Sequence, residues 1–232
     1  MTVHSINTGS IGNAYILEVD NQCILLDCGV PYVEINKAID FKMTKIIGCL
    51  LTHEHGDHSK SASELTRRGI KVFTSKGTAS KLKGTFNIVE RMQQFKLGNF
   101  EIIPFDVPHD AEEPFGYLIR HQSIGLLAFI TDAMYCRYRF PGLRHALIEA
   151  NYSDEDMKDD PEFLKRRIKH SHMSIETCCD FISINSEHLE TITLLHLSDR
   201  NSNQIEFEKK TRQVSGVRVY VAEKNKKIFL KC

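Results

Sequence analysis

An excess of charge of either sign is the first thing this sequence lacks: 30 lysines and arginines face 30 aspartates and glutamates, for a formal net charge of zero. There is no global cationic field of the kind that dominates non-specific binding to nucleic acids, which weakens a long polyanion as substrate without removing it. No stretch approaches the roughly 18 apolar residues that a membrane helix needs, so no membrane association is expected. Residues 1–12 lack the charged-then-apolar plan of a secretion signal, and a cytosolic location is expected. Cysteine is present but unpatterned. The seven residues are odd in number, show no C-x-x-C and lie mostly in apolar surroundings, which favours reduced core thiols over a disulfide framework or zinc knuckle. Tandem repeats and low-complexity segments are absent. What remains is 232 residues with 41% apolar content, ample for the core of one domain spanning 1–232.

The densest chemistry lies in residues 50–59, Leu-Leu-Thr-His-Glu-His-Gly-Asp-His-Ser. His53, His55, Asp57 and His58 follow directly on the apolar run Ile46, Ile47, Cys49, Leu50 and Leu51, which reads as a buried strand. At a strand end, side chains at i and i+2 point the same way. His53 and His55 are thus placed to grip one ion, while Gly56 lets the chain turn and bring Asp57 and His58 towards a second. Four ligand-type residues at this spacing point to a metal site rather than a chance cluster of solvated histidines.

Along the rest of the chain, Ala14–Val19 and residues 23–26 read as antiparallel strands joined at Asp20-Asn21. Residues 33–40 read as a short helix and 45–51 as a strand. Residues 59–68 form a helix with Ser59 at its N-cap and Gly69 beyond its end; 71–74 a strand; 78–82 a helical turn. Strands then dominate, at 87–92, 94–97, 100–107, 116–120, 126–130 and 146–150. Helices are predicted at Glu162–Lys169, Ile175–Ile184 and residues 204–212, with strands at Thr191–Leu195, 217–221 and 228–230. Ligand-type side chains recur at strand tips: His109 after Val107-Pro108, Asp132 after Thr131, Glu149, and His196. Such an order places them at the C-terminal ends of strands, where α/β sites are usually built. A carboxylate such as Asp132 at the tip of an apolar strand is costly unless cations meet its charge.

The His53-x-His55-x-Asp57-His58 pattern after an apolar strand resembles the defining motif of the metallo-β-lactamase superfamily, and further matches run along nearly the whole chain. Within it the chain is most similar to the YycJ (WalJ-like) family, and more distantly to ribonuclease Z. The resemblance implies an α/β fold, the αββα four-layer sandwich of two mixed sheets packed face to face with helices outside, built as two similar halves. Thr8-Gly9-Ser10-Ile11-Gly12-Asn13 resembles the small-residue loop that opens YycJ proteins. Leu26-Asp27-Cys28-Gly29 resembles the strand-ending Asp and Gly, in which the Asp braces the histidine loop; an Asp that merely ends a strand is the plainer alternative. His172-Met173-Ser174 resembles the His-Leu-Ser of YycJ and the His-Ser-Thr of ribonuclease Z, whose histidine is partnered by a Glu of the preceding strand, here Glu149. The alternative is Ser171 or Ser174 capping the following helix. His196-Leu197-Ser198 resembles the last metal motif.

Carried over residue by residue, the resemblance implies two divalent metal ions, Zn2+ first with Mn2+ or Fe2+ also suited. The first would be held by His53, His55, His109 and Asp132, and the second by Asp57, His58, Asp132 and His196. A hydroxide between the ions would attack phosphorus, with Asp57, His172 and Glu149 as the catalytic set and His172 protonating the leaving oxygen. The implied activity is a phosphodiesterase or nuclease, of the 5′–3′ exonuclease type on DNA or RNA. A cyclic-nucleotide phosphodiesterase like the phage anti-Pycsar enzymes is the rival, and a non-catalytic metal-binding accessory of a cell-wall signalling system a second alternative. Glyoxalase-type thioester or lactone hydrolases do not use the His172–Glu149 pair. No segment has spare length for the tRNA arm of ribonuclease Z or for the inserted domain of the β-CASP nucleases, and lactamases use a different ligand set. The basic residues Lys165, Arg166, Arg167 and Lys169 before His172 would hold a phosphate backbone or simply face solvent. Homodimers are common among the relatives, and nothing in the sequence fixes the oligomeric state here. Cys28 and Cys136 lie near the proposed site, with a ligand role open for each.

Overall fold

In a computed structural model the chain is described from residue 1 to residue 230; Cys232, one of the thiols read above, lies outside the described residues. The hairpin at Asp20-Asn21 forms as expected: β2 (Ala14–Val19) and β3 (Gln22–Leu26) pair antiparallel, and both turn residues take left-handed φ values of 46° and 64°. That two-residue turn matches the natural twist of the strands it joins. A strand that the sequence pattern did not separate, β1 (Thr2–Asn7), lies along the other side of β2.

After α1 (Tyr32–Ala38) come β4 (Ile46–Leu50), α2 (Gly56–Ser59), α3 (Ala62–Arg67), β5 (Val72–Thr74), α4 (Lys76–Lys81) and β6 (Asn87–Ile88). The expected helix over 59–68 is thus two pieces. Ser59 is the last residue of α2, and its hydroxyl donates to the Glu54 carbonyl instead of capping a helix. The expected strand over 87–92 pairs only at Asn87 and Ile88, because Met92 turns the chain with φ 61° and its N–H goes to the Pro104 carbonyl.

The second half carries β7 (Phe95–Leu97), β8 (Phe100–Asp106), β9 (Phe115–His121), β10 (Gly125–Ile130), β11 (Leu143–Glu149), α5 (Glu162–Lys169), α6 (Ile175–Ile184), β12 (Thr191–Leu195), α7 (Gln204–Ser215) and β13 (Arg218–Val221); β14 (Lys226–Phe229) returns to the first sheet. Ser174 caps α6 by accepting from the Thr177 N–H, and Asn203 caps α7 by accepting from Ile205 and Glu206.

Two seven-stranded sheets result, in the orders β14-β1-β2-β3-β4-β5-β6 and β7-β8-β9-β10-β11-β12-β13. Both follow one plan. Three antiparallel pairings lead to the fourth strand, β3 or β10, and three parallel pairings follow it. Between the sheets lie Tyr15, Leu17, Ile24 and Leu50 from one and Tyr117, Ile119, Leu127, Phe129 and Leu147 from the other, with Tyr15 edge-on to Phe129 at 5.9 Å. Ile35 and Leu65 of α1 and α3 cover the outer face of the first sheet, and Cys178, Ile182 and Phe207 of α6 and α7 that of the second. This is the αββα sandwich. Each fully buried large side chain in these layers contributes about 1.5–3 kcal/mol relative to exposure. Because β3, β4, β10, β11 and β12 run with parallel neighbours, their C-terminal ends release the chain into loops that meet on one rim.

Candidate metal centre

Each loop leaving that rim brings one or more ligand-type side chains. The loop after β4 brings His53, His55, Asp57 and His58; the others bring Asp132 after β10, Glu149 at the end of β11, His172 before α6, and His196 after β12. His109 arrives between β8 and β9. Among the described residues three groups have ligand atoms all within 4.8 Å of one another: His53, His55 and His109; Asp57, His58, Asp132 and His196; and Asp132, Glu149, His172 and His196. All seven residues expected as ligands, and both partners of the expected acid pair, are therefore gathered in one cleft.

Asp132 is the hinge of the arrangement. Its Oδ1 lies 3.3 Å from His58 Nε2 and 3.0 Å from His196 Nδ1, while its Oδ2 faces the other side, 3.9 Å from both His109 Nε2 and His172 Nδ1. Burial alone would raise this carboxyl, yet His196 and His58 hold it well below the usual carboxylate range. It therefore faces both clusters as an anion.

The imidazoles are held in ligand-ready orientations by their other nitrogens. His58 Nδ1 donates to Asp27 Oδ2 at 2.7 Å. His53 Nδ1 meets Thr52 Oγ1 at 2.9 Å, and that hydroxyl donates in turn to Asp27 at 2.9 Å. His109 Nδ1 donates to the Ser171 carbonyl at 2.7 Å. Burial, and then the neighbouring His58, hold His53 well below the ordinary histidine value, in its neutral form with a lone pair free. The Nε2 atoms of His53 and His196 are buried without a partner among the described residues. Nitrogens so placed are costly unless something electropositive meets them. The donor set and these orphaned atoms fit a pair of divalent cations, an imidazole-rich site beside a carboxylate-bridged one.

A model of the Beta-lactamase superfamily domain matches residues 22–184 of the chain. The chain belongs to the beta-lactamase superfamily. Over 223 residues it is 28% identical to the exodeoxyribonuclease YycJ of Bacillus anthracis, a match covering 85% of this chain and 83% of that protein. The structure resembles the metallo-beta-lactamase fold protein YhfI of Bacillus subtilis, with a TM-score of 0.78, 16% identity and coverage of 98% and 99% of the two chains. It also resembles the short form of human tRNase Z, with a TM-score of 0.68, 17% identity and full coverage of both. The structural likenesses establish the fold. Dinuclear binding in this beta-lactamase-superfamily member is what its His and Asp clusters are suited to.

The superfamily motif alone does not disclose how much Glu149 does. Fully buried, its Oε1 contacts both His172 Nδ1 at 2.7 Å and His196 Nδ1 at 2.9 Å, and its Oε2 accepts from the Ala133 and Met173 N–H groups. Burial opposes its charge, but His172 and His196 together outweigh this and lower its pKa; Glu149 in turn raises His172 against the effect of burial. Ser174 caps α6 as the plainer alternative had it, and His172 is paired with Glu149 as well, so the two readings coexist.

Other contributors were invisible to pattern reading. Thr52 relays Asp27 to His53. Thr8 Oγ1 accepts from the His196 N–H at 2.9 Å. Glu54, between two ligand histidines, accepts from the Glu112 N–H at 2.8 Å and so ties the loop that carries His109 to the loop that carries His53. The two threonines are not ligand types and Glu54 belongs to none of the ligand clusters among the described residues, so only long-range contact reveals the three. Asn13, within the opening loop, donates its N–H to the Asp57 carbonyl at 2.6 Å. Cys28 and Cys136 belong to none of the clusters among the described residues; Cys28 is buried in the outer core with Cys49. No described helix is long and apolar enough to cross a membrane.

Proposed function

We propose that this protein is a two-metal phosphodiesterase, a nuclease of the 5′–3′ exonuclease type acting on DNA or RNA. The observation that carries the reading is the Glu149–His172 pair, set beside Asp132 at the mouth of the two clusters. A thiolate leaving a thioester, the glyoxalase-type substrate, departs without such a pair, whereas an alkoxide leaving from phosphorus needs a proton. The naming of the similar YycJ protein as an exodeoxyribonuclease supports it.

In this reading His53, His55, His109 and Asp132 hold one cation and Asp57, His58, Asp132 and His196 the other, with Zn2+ favoured by the imidazole-rich set and Mn2+ or Fe2+ compatible with the carboxylates. Bound there, divalent cations supply positive charge to the developing phosphorane and lower the pKa of water towards neutrality. The chain does the rest. Glu149 keeps the Nδ1 proton of His172 and favours the imidazolium, whose Nε2–H then passes its proton to the departing oxygen. Asp57, partly exposed with its Oδ2 3.6 Å from His58 Nε2, completes the catalytic set in this reading. Residues 1–232 act as one hydrolase domain, in the cytosol.

Hydrolysis of bis-p-nitrophenyl phosphate by the metal-loaded protein tests the chemistry, with 5′-labelled single-stranded DNA and 3′,5′-cyclic nucleotides testing the substrate. Turnover of DNA that disappears in His172→Ala is expected. Turnover confined to cyclic nucleotides would move the protein to a signalling-nucleotide phosphodiesterase. Silence on every phosphodiester with two metals bound would overturn the reading.

A further inference from the structure

Helix α5 has three faces with different fates. Leu164, Ile168 and Ser171, spaced i, i+4 and i+7, form the half-buried to buried side. Glu162, Lys165, Arg166 and Lys169 form a second side and are engaged locally. Lys165 Nζ donates to the Lys158 carbonyl at 2.6 Å, Lys169 pairs with Asp154 at 2.7 Å, and Arg166 lies 3.7 Å from Glu162. Phe163, Arg167 and His170 share the third side at the same helical spacing. Phe163 is 75% exposed. The Arg167 guanidinium and the His170 imidazole have no hydrogen bond or ion pair with any described residue. Of the four basic residues on this helix, Arg167 alone has no side-chain hydrogen bond or ion pair with a described residue.

The C-terminal end of α5, where His170 sits, leads along the chain into the metal centre. His170 is followed by Ser171, whose carbonyl holds His109, and by His172, which Glu149 holds. An exposed aromatic ring one turn from an unpaired guanidinium is the pairing that single-stranded nucleic acids bind, with a base stacking on the ring and the backbone phosphate meeting the cation. A duplex keeps its bases stacked and offers no face to Phe163.

We propose that Phe163, Arg167 and His170 form a track for the single-stranded nucleic acid on its way to the metal centre. Phe163 stacks on a base, and Arg167 and His170 hold phosphates beyond the scissile one. The proposal rests on the nuclease reading and supplies what the neutral net charge withholds, a local cationic contact at the one place where the strand must lie.

The test is binding of a fluorescein-labelled single-stranded oligodeoxynucleotide with phosphorothioate links, which resists cleavage, by the full metal-loaded chain, followed by anisotropy. Phe163→Ala and Arg167→Ala should each weaken binding about 5- to 100-fold, and Arg167→Ala should lower the slope of log K against log salt by about 0.7. Arg166→Ala, on the engaged side, should bind as wild type does. Unchanged melting and metal content verify that the variants fold. Wild-type affinity in both track variants, an equal loss in Arg166→Ala, or no binding by the wild type would each overturn the track. Track-dependent binding without cleavage of the unmodified strand would sink the nuclease reading alone, and cleavage and binding indifferent to the track would sink the track alone.

Discussion

Asp27 and Asp132 occupy equivalent places in two sheets of the same plan, each just beyond the fourth strand in sheet order, each buried, and each with left-handed φ, 56° and 46°. His58 joins them: its Nδ1 donates to Asp27 at 2.7 Å and its Nε2 lies 3.3 Å from Asp132. One aspartate braces the histidine loop while its counterpart faces both ligand clusters. A left-handed aspartate is strained relative to ordinary backbone, and such strain persists only where surrounding contacts over-determine it.

Asp27→Ala should weaken metal binding at both sites together, because His58 leans on Asp27 directly and His53 through Thr52. Loss of such an outer hydrogen bond costs about 10- to 100-fold in affinity. Competition against a chromophoric chelator measures it, and wild-type affinity in the variant would show that the brace is dispensable.

Asp132→Ala should lose more, with bound metal falling well below that of the wild type, since one carboxylate faces both clusters. Elemental analysis after dialysis decides the matter; retention of two ions would mean that no shared ligand lies here.

His172→Ala and Glu149→Gln should separate. The first removes the acid and lowers kcat about 10²- to 10⁴-fold with metal content intact. The second lowers kcat and also loosens metal, because Glu149 touches His196 at 2.9 Å as well as His172. Identical metal affinity in the two variants would confine Glu149 to the acid pair.

Gly29→Ala should destabilise the metal loop. A Cβ built at Gly29 would fall 1.6 Å from the Asp57 carbonyl oxygen, which neither backbone can relieve without moving Asp57 and His58. A fall of about 5–10 °C in Tm is expected, accompanied by weaker metal binding, and a melting curve like that of the wild type would show that the loop can shift at little cost.

His145, fully buried on β11 away from the metal centre, is pushed down to about 4, mainly by burial. Below its ordinary value of about 6.5 the unfolded chain takes up a proton that the folded chain refuses. Stability is therefore lost as pH falls from about 6.5 towards 4. Chelated wild type and His145→Gln compared across that range by urea unfolding should show the shallower pH dependence in the variant; parallel curves would rule out this histidine as a source.

The chain by itself determined most of its strands and helices and its inventory of ligand-type side chains. Alternation, turn residues and caps are local, which is why the Asp20-Asn21 hairpin, Glu162–Lys169, Ile175–Ile184 and Thr191–Leu195 were legible within a residue or two. His53, His55, Asp57 and His58 were legible because their chemistry is dense. Tertiary structure decided what depends on distant partners: that β1 lies beside β2, that Thr52 and Glu54 steady the histidines, and that Glu149 holds His196 as well as His172. Thr52 and Glu54 look like ordinary loop residues until folding sets each against a partner at least 25 positions away, and hydrogen-bond geometry, unlike hydrophobic periodicity, leaves no trace in residue order.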